Sequence, residues 1–242
     1  MQETIFEYII RILPQMLAGL SITIKLFVVT LVFSLPLGLL VSLLNESVSK
    51  RADDKFVIKW FVKFPVRLLI NIYLWVFRGT PLLLQLFFFY FGLAMIELQD
   101  GTRLAMEPFM AASLTFILNY AAYFAEIFRG GIIGVSKGQY EASKALGLNS
   151  FQTMRFVVIP QMLRTVVPPV ANEAIVLVKD TALVSSIALI DMLKKAQQAV
   201  SRDMNVTAFF VVAVIYLAIT LVLTYFFSKA EKKLSISERK MV

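Results

Sequence analysis

Gly138–Pro160 reads GQYEASKALGLNSFQTMRFVVIP. It is a polar, helix-capable stretch held between long apolar runs, and what it folds into decides what kind of chain this is. Glu141 through Leu148 are mostly good helix formers, with Ala142, Ala145 and Leu146 among them. Gly147 suits a helix C-terminus, where a left-handed backbone costs a residue with a Cβ about 1 kcal/mol or more. Asn149 and Ser150 are N-cap residues for a second helix, and Pro160 is expected to kink or end it. The spacing predicts a short helix, a sharp turn and a return helix over the loop 137–160. Two readings fit that shape: a surface offered to a partner, or an ordinary connecting loop.

Working outward, the rest of the chain is far more apolar. Of its 242 residues 59% are hydrophobic and the mean hydropathy is +0.77, whereas a soluble domain is about 45–50% apolar. Apolar runs of about 20 residues, the length that crosses about 30 Å of hydrocarbon, recur along it. The expectation is an all-α integral membrane protein with five spans: about 15–44, 66–94, 108–128, 167–193 and 206–228. Residues 1–242 form one transmembrane domain, because no polar stretch is long enough to bury a soluble core of its own. The N-terminal MQETIFEYIIRILP carries Glu3 and Glu7 and lacks the basic start of a cleaved signal peptide.

Charge sets the orientation. Eighteen of the 24 Lys and Arg residues fall in segments 45–80, 129–180 and 229–242. The positive-inside rule puts those segments in the cytoplasm, so the N-terminus is expected outside and the C-terminus inside. The net charge of +8 reads as orientation rather than as a nucleic-acid surface. Within 45–64, Lys55, Lys59 and Lys63 recur every four residues with Trp60, Phe61 and Phe64 between them. That spacing fits an interfacial elbow helix, from which Pro65 would start a steeper segment.

Several polar residues sit where hydrocarbon is expected. In Phe77–Pro81, FRGTP, Thr80 is a good N-cap and Pro81 is favoured in the first helical turn, so a helix is expected to begin there. If the span starts near Pro65, this is a broken helix whose N-terminus, with Arg78, suits an anionic group such as a carboxylate. Otherwise Arg78 marks the cytoplasmic edge of the second span. Lys179 and Asp180 fall near the middle of the fourth span, where charge is costly unless it faces a cavity or a bundle interior. Adjacent helical residues point about 100° apart, so each is expected to have its own partner. Asn119 and Tyr120 lie midway along the third span, where ligand contact and helix packing explain them equally. Glu126 and Arg129, three residues apart, read as an ion pair.

Absences narrow the chemistry. Cys and His are both missing, which excludes thiolate zinc sites and histidine bases. No glycine-rich phosphate loop precedes a lysine. If ATP drives this protein, the ATPase is another subunit.

Taken together, these blocks resemble one family: permease subunits of ATP-binding-cassette (ABC) importers for polar amino acids, the histidine/glutamine/glutamate/arginine/opine group. Glu141, Ala142 and Gly147, then Val157, Ile159 and Pro160, resemble that family's cytoplasmic EAA motif, with Ser143 in place of the usual third alanine. FRGTPLLLQLFFFYFGL, AEIFRGGIIGVSKGQ, IPQMLRTVVPPVANEAI and LVKDTALVSSI resemble the same group in the same order, over about 75–190. The resemblance implies a type I importer permease in a prokaryotic plasma (inner) membrane. It implies a second permease subunit, identical or paralogous, a dimer of ABC ATPases that binds ATP and Mg, and an extracytoplasmic amino-acid-binding protein. The chain itself would hold no cofactor and no metal. Glu141, Ala142, Ala145, Leu146, Gly147 and Pro160 would belong to a coupling helix seated on the ATPase. Asp180, Asn119, Arg78, Thr80, Lys179 and Tyr120 are the residues expected along the substrate pathway. The competing readings are a stand-alone secondary transporter or channel, disfavoured by five spans without a visible inverted repeat, and a membrane enzyme, disfavoured by the missing His and Cys.

Overall fold

The structure, a computed structural model, describes residues 4–50, 57–99 and 101–239. The described residues are almost wholly helical. In chain order they form α1 (Ile5–Lys50), α2 (Val57–Gly79), α3 (Leu82–Phe87), α4 (Pro108–Gly134), α5 (Lys137–Ala145), α6 (Ser150–Thr153), α7 (Ile159–Asp180), α8 (Met192–Asp203) and α9 (Thr207–Arg239). Three helices among the described residues are long and apolar enough to cross a bilayer: Ile5–Asn45, Pro108–Gly134 and Thr207–Lys233. The pair Pro65–Gly79 and Leu82–Gly92 makes a fourth if it is counted as one broken span.

Local chemistry explains where these helices start. Before α1, Thr4 and Glu7 cap each other: the Thr4 amide donates to Glu7 Oε2 at 2.8 Å and the Glu7 amide to Thr4 Oγ1 at 3.3 Å. Pro108 opens α4, where its missing N–H is no loss, and the Met110 amide finds Glu107 Oε2 at 3.2 Å.

Two sequence expectations change here, a third lies outside the described residues, and Pro160 distorts its helix without ending it. Pro65 does not begin a new segment: α2 runs through it from Val57. The expected elbow at 55–64 falls on Lys55 and on side chains that lie outside the described residues. The segment 167–193 is not one helix. α7 ends at Asp180, Thr181–Ile187 tightens into a 3₁₀ helix, and Ala188 closes it with a left-handed backbone (φ 63°). Pro160 does not end its helix either. Instead Met154–Val158 widens into a π turn, in which the Ile159 amide reaches back to the Met154 carbonyl, and α7 then continues through Pro160, Pro168 and Pro169. Pro160 lacks the N–H that the Phe156 carbonyl would accept in a regular helix, and the wide turn falls directly before it.

Contacts divide the described chain into two compact units, one drawn from 1–32, 80–119 and 174–224, the other from 33–79, 120–173 and 225–242. In the first, Tyr8, Ile12 and Met16 on one face of α1 pack against Met192, Ala196 and Ala199 of α8 and Ala208, Val211 and Val212 of α9. The i, i+4 spacing on each helix makes that face continuous, and the alanines let the backbones come close. Gly19 marks the tightest approach: a Cβ there would stand 2.7 Å from the Asp191 carbonyl oxygen and the Met192 Cα. Asp191 is itself fully buried and caps α8, accepting from the Lys194 amide at 2.8 Å. At the far end of α8, Asp203 accepts two bonds from Arg202 at 2.7 and 2.8 Å and lies 3.5 Å from Arg11 of α1. The hydrogen bonds from Arg202, assisted by the charge of Arg11, hold the Asp203 carboxyl down at about 2.

In the second unit, Leu74 of α2 and Ala122 and Ala125 of α4 are buried together, with Val41, Ile70, Tyr73 and Phe77 packed around them. α9 differs from both cores. Val214, Leu217, Leu221, Val222, Tyr225 and Phe226 all stay exposed along it, as suits a helix whose solvent is hydrocarbon.

Candidate functional site

The break between α2 and α3 is where the first unit gathers polar groups. Thr80 was expected to cap the helix that follows, and it does not. Pro81 holds the N-cap position with an extended backbone and no side-chain cap, and its carbonyl accepts from the amides of Leu84 and Gln85 at 3.0 and 3.1 Å. Thr80 turns to a different donor. Gln85 Nε2 donates to Thr80 Oγ1 at 2.8 Å and to the Thr80 carbonyl at 3.1 Å. The other end of the same amide, Gln85 Oε1, accepts from Asn119 Nδ2 at 3.0 Å. Gln85 and Asn119 are both buried. The result is a polar chain, Asn119 to Gln85 to Thr80, running through apolar surroundings. Each amide places a donor against an acceptor, as burial requires.

Gln85 was missed in the sequence, although it had a signal: it is the one polar residue in the apolar run PLLLQLFFFYF. Its helix α3 packs against the 3₁₀ segment Thr181–Ile187, which follows Lys179 and Asp180. Lys179 is exposed and Asp180 half-exposed. Lys179 lies at the edge of an open groove of about 420 Å³, lined by Ala182, Ala213, Tyr216, Leu217 and Thr220.

Arg78 and Tyr120 belong to the second unit. Arg78 lies 3.6 Å from Glu126, which is also held by Arg129 through bonds of 2.7 and 3.1 Å. The expected Glu126–Arg129 pair therefore forms and takes in Arg78 as a second cation. Arg78 also stands 5.8 Å over the Tyr123 ring, within cation–π range. Tyr120 is buried against Tyr123 and Phe124, with ring centroids 6.4 and 6.1 Å away.

The loop quoted first folds as a helix, a turn and a second helix. α5 ends in a two-bond motif: the Gly147 amide donates to the Lys144 carbonyl at 3.0 Å and the Leu148 amide to the Ser143 carbonyl at 3.0 Å. Gly147 sits at φ 74° to make it, the left-handed position that glycine takes most cheaply. Asn149 then accepts from the Gln152 amide at 2.9 Å while the Gln152 side chain accepts from the Asn149 amide at 2.9 Å, a complete capping box. Ser143 points inward, 2% exposed, and its hydroxyl donates to the Gln139 carbonyl at 2.7 Å. Outward point Glu141, Ala142, Lys144, Ala145, Leu146 and Gly147. Leu146 is 80% exposed and Phe151, on the next helix, 69%. Pro160 is exposed at the start of α7.

Comparison with known proteins gives these arrangements a context. Residues 60–236 match the family described as binding-protein-dependent transport system inner membrane component. The arginine transport system permease protein ArtQ of Bacillus subtilis is 36% identical over 234 residues, covering 96% of this chain and 98% of that protein. The glutamine transport system permease protein GlnP of Escherichia coli K12 is 37% identical over 166 residues, 68% of this chain and 74% of that one. Among solved structures, an amino acid ABC transporter crystallised with histidines superposes with a TM-score of 0.80 at 32% identity, over 95% of this chain and 99% of that one. The MetNI methionine ABC transporter, in an inward-facing form, gives a TM-score of 0.67 at 18% identity over 92% and 95% of the two chains, a likeness of fold.

Proposed function

This chain is a member of the binding-protein-dependent transport system inner membrane components, and from that premise we propose how its residues divide the work of transport. It is the permease subunit of an amino acid ABC importer, with the type I permease fold and the non-catalytic part in the machine. The reading adopted for its topology is five spans, N-terminus outside and C-terminus in the cytoplasm. α1, α4 and α9 supply three, the broken pair α2–α3 a fourth, and the segment around α7 a fifth. The bias of Lys and Arg toward 45–80, 129–180 and 229–242 supports that orientation.

In this reading two permease subunits, identical or paralogous, form the pathway in a prokaryotic plasma membrane. An ATPase dimer holding ATP and Mg sits beneath them, and an extracytoplasmic binding protein delivers the amino acid. The observation that carries the coupling role is the outward face of α5. A loop that only connected helices would expose polar groups, yet Ala142, Ala145 and Leu146 face out beside Glu141. The turn beneath them is closed by the two bonds at Gly147 and the box at Asn149. These apolar side chains, set among exposed Lys137, Gln139, Glu141 and Lys144 on a rigidly backed helix, suit a groove in a partner protein. Closure of the ATPases on ATP would press α5, and hydrolysis would release it, so the two states of the pathway follow the two states of the nucleotide.

The substrate pathway is assigned to Thr80, Asn119, Lys179 and Asp180 in the first unit and to Arg78 and Tyr120 in the second. Asp180 suits the substrate ammonium or a cationic side chain, Arg78 its carboxylate, and Asn119 and Thr80 its polar atoms, with Gln85 added as their link. Co-purification tests the coupling face. Glu141→Ala or Gly147→Val is expected to release the ATPase subunit, and full recruitment with normal uptake would sink the assignment. Asp180→Asn is expected to impair uptake while the subunits stay together, and wild-type uptake by that variant would refute its role.

A further inference from the structure

Besides its short link to α4 and its packing on the π turn, α5 is tied to α7 by two routes. The covalent route runs from Ala145 to Ile159 through the glycine turn at Gly147 (φ 74°) and the π turn Met154–Val158. A π turn is one residue wider than its neighbours and departs from the regular helical ladder.

The second route is a side-chain bridge that skips both turns. Gln161 Nε2 donates to Gln139 Oε1 at 3.0 Å across a sequence separation of 22. Gln139 lies in the first turn of α5. Gln161 lies three residues past the π turn, on the regular part of α7. The bridge itself is exposed, and it is the helix backbone at each end that is anchored. On the α5 side, the Gln139 carbonyl takes the Ser143 hydroxyl at 2.7 Å, and the neighbouring Tyr140 donates its hydroxyl to the Ile132 carbonyl of α4 at 3.2 Å. On the α7 side, Met162 and Val166 pack directly on α4 at Gly131, where an added Cβ would stand 2.3 Å from Val166 Cγ1.

We propose that Gln139 and Gln161 are positioning residues that form a latch, carrying displacement of α5 directly into α7 past the Gly147 turn and the π turn. The inference rests on the coupling role proposed for α5, and it explains why α5 needs a tie to α7 beyond its own backbone. Neither glutamine is assigned to the ATPase contact. The latch acts on how much of each ATP cycle reaches the pathway.

The experiment uses the assembled transporter in vesicles, with uptake and ATP hydrolysis measured on the same preparation for Gln139→Leu, Gln161→Leu and the double variant. Each single variant is expected to keep its ATPase subunit and its hydrolysis, while uptake per ATP drops about threefold to tenfold, the range over which single residues modulate coupling. The double variant is expected to be no worse than either single one, because both remove the same contact. A residue that only stabilised the fold would lower hydrolysis and uptake together and leave their ratio unmoved. Unchanged uptake per ATP, or losses that add in the double variant, would overturn the latch. So would loss of the ATPase subunit from either single variant, since the glutamines would then belong to the docking face. Glu141→Ala in parallel separates the two ideas. If it keeps full recruitment and uptake, the coupling role fails on its own evidence, whatever the glutamine cycle shows.

Discussion

The chain Asn119–Gln85–Thr80 and the face of α5 are opposites. The first is polar and lies buried among apolar helices; the second holds apolar side chains, Ala142, Ala145 and Leu146, out in the open among charged residues. Each inverts its surroundings, and the cost of doing so falls in a different place. Burial makes the first depend on satisfied hydrogen bonds, because an amide without partners in a low-dielectric interior is expensive. Exposure makes the second depend on backbone rigidity, because outward side chains have little around them to hold them. The first should therefore break through lost partners and the second through lost backbone motifs.

The largest effect is expected at the buried chain. Gln85→Leu removes the acceptor of Asn119 and the donor to Thr80 at once. Leaving a buried polar group unpaired costs about 1–3 kcal/mol, so thermal unfolding of the purified transporter should move clearly downward and uptake should fall. Changing both amides sharpens the contrast. Gln85→Leu with Asn119→Leu should recover part of that stability, because the contact between the two amides is then removed from both sides, while uptake stays low if the polar groups serve the substrate. A double variant less stable than Gln85→Leu alone would show that Asn119 is held by something other than this contact.

Next comes the backbone of the exposed face. Gly147→Ala puts a Cβ on a left-handed residue, at about 1–2 kcal/mol, with open space around it. The penalty is therefore strain and not collision. Recruitment of the ATPase should weaken, and amide hydrogen exchange in α5 should quicken. Asn149→Ala removes half of the capping box and should cost about 1 kcal/mol, whereas Asn149→Gly should cost only a few tenths. If Asn149→Ala cost nothing, the box would not be what fixes α6.

How far these two regions were legible in the sequence follows from the range of their contacts. Gly147 and Asn149 announced themselves because a turn and a cap are completed within four residues, and both formed as their residue types require. Ser143 departs from the expected alanine without harm, because its hydroxyl is returned to the Gln139 carbonyl in the same helix. Contacts between distant residues were not legible. Gln85 and Asn119 are 34 residues apart, and no local pattern pairs them. Thr80 read as an N-cap because local rules favour it there, but the side chain of Gln85, five residues on, took its hydroxyl. Periodicity likewise marked the apolar stretches but not their interior breaks. The 3₁₀ segment after Asp180 and the wide turn before Pro160 arise from backbone accommodation that hydropathy does not register.

A third region, polar and part-buried at the surface, sets the lower end of the scale. Asp203 is bonded to Arg202, with Arg11 nearby, at the surface of the first unit, and its carboxyl is lowered from an ordinary 3.8 to about 2. A carboxyl lowered by folding favours the folded state when ionised. That contribution is complete above pH about 4, the unfolded value, and disappears as pH falls through about 2. From pH 5 to 8 Asp203→Asn should shift the unfolding temperature by a small and constant amount. Only in acid, between pH about 4 and 2, should the variant and the wild type converge. High salt should shrink the difference at neutral pH, as it does for exposed ion pairs, while leaving the effect of Gln85→Leu untouched, since a neutral buried amide has no charge for salt to screen. A salt-insensitive Asp203→Asn would place that carboxylate with the buried chain rather than with the surface, and the ordering of the three regions by burial would have to be redrawn.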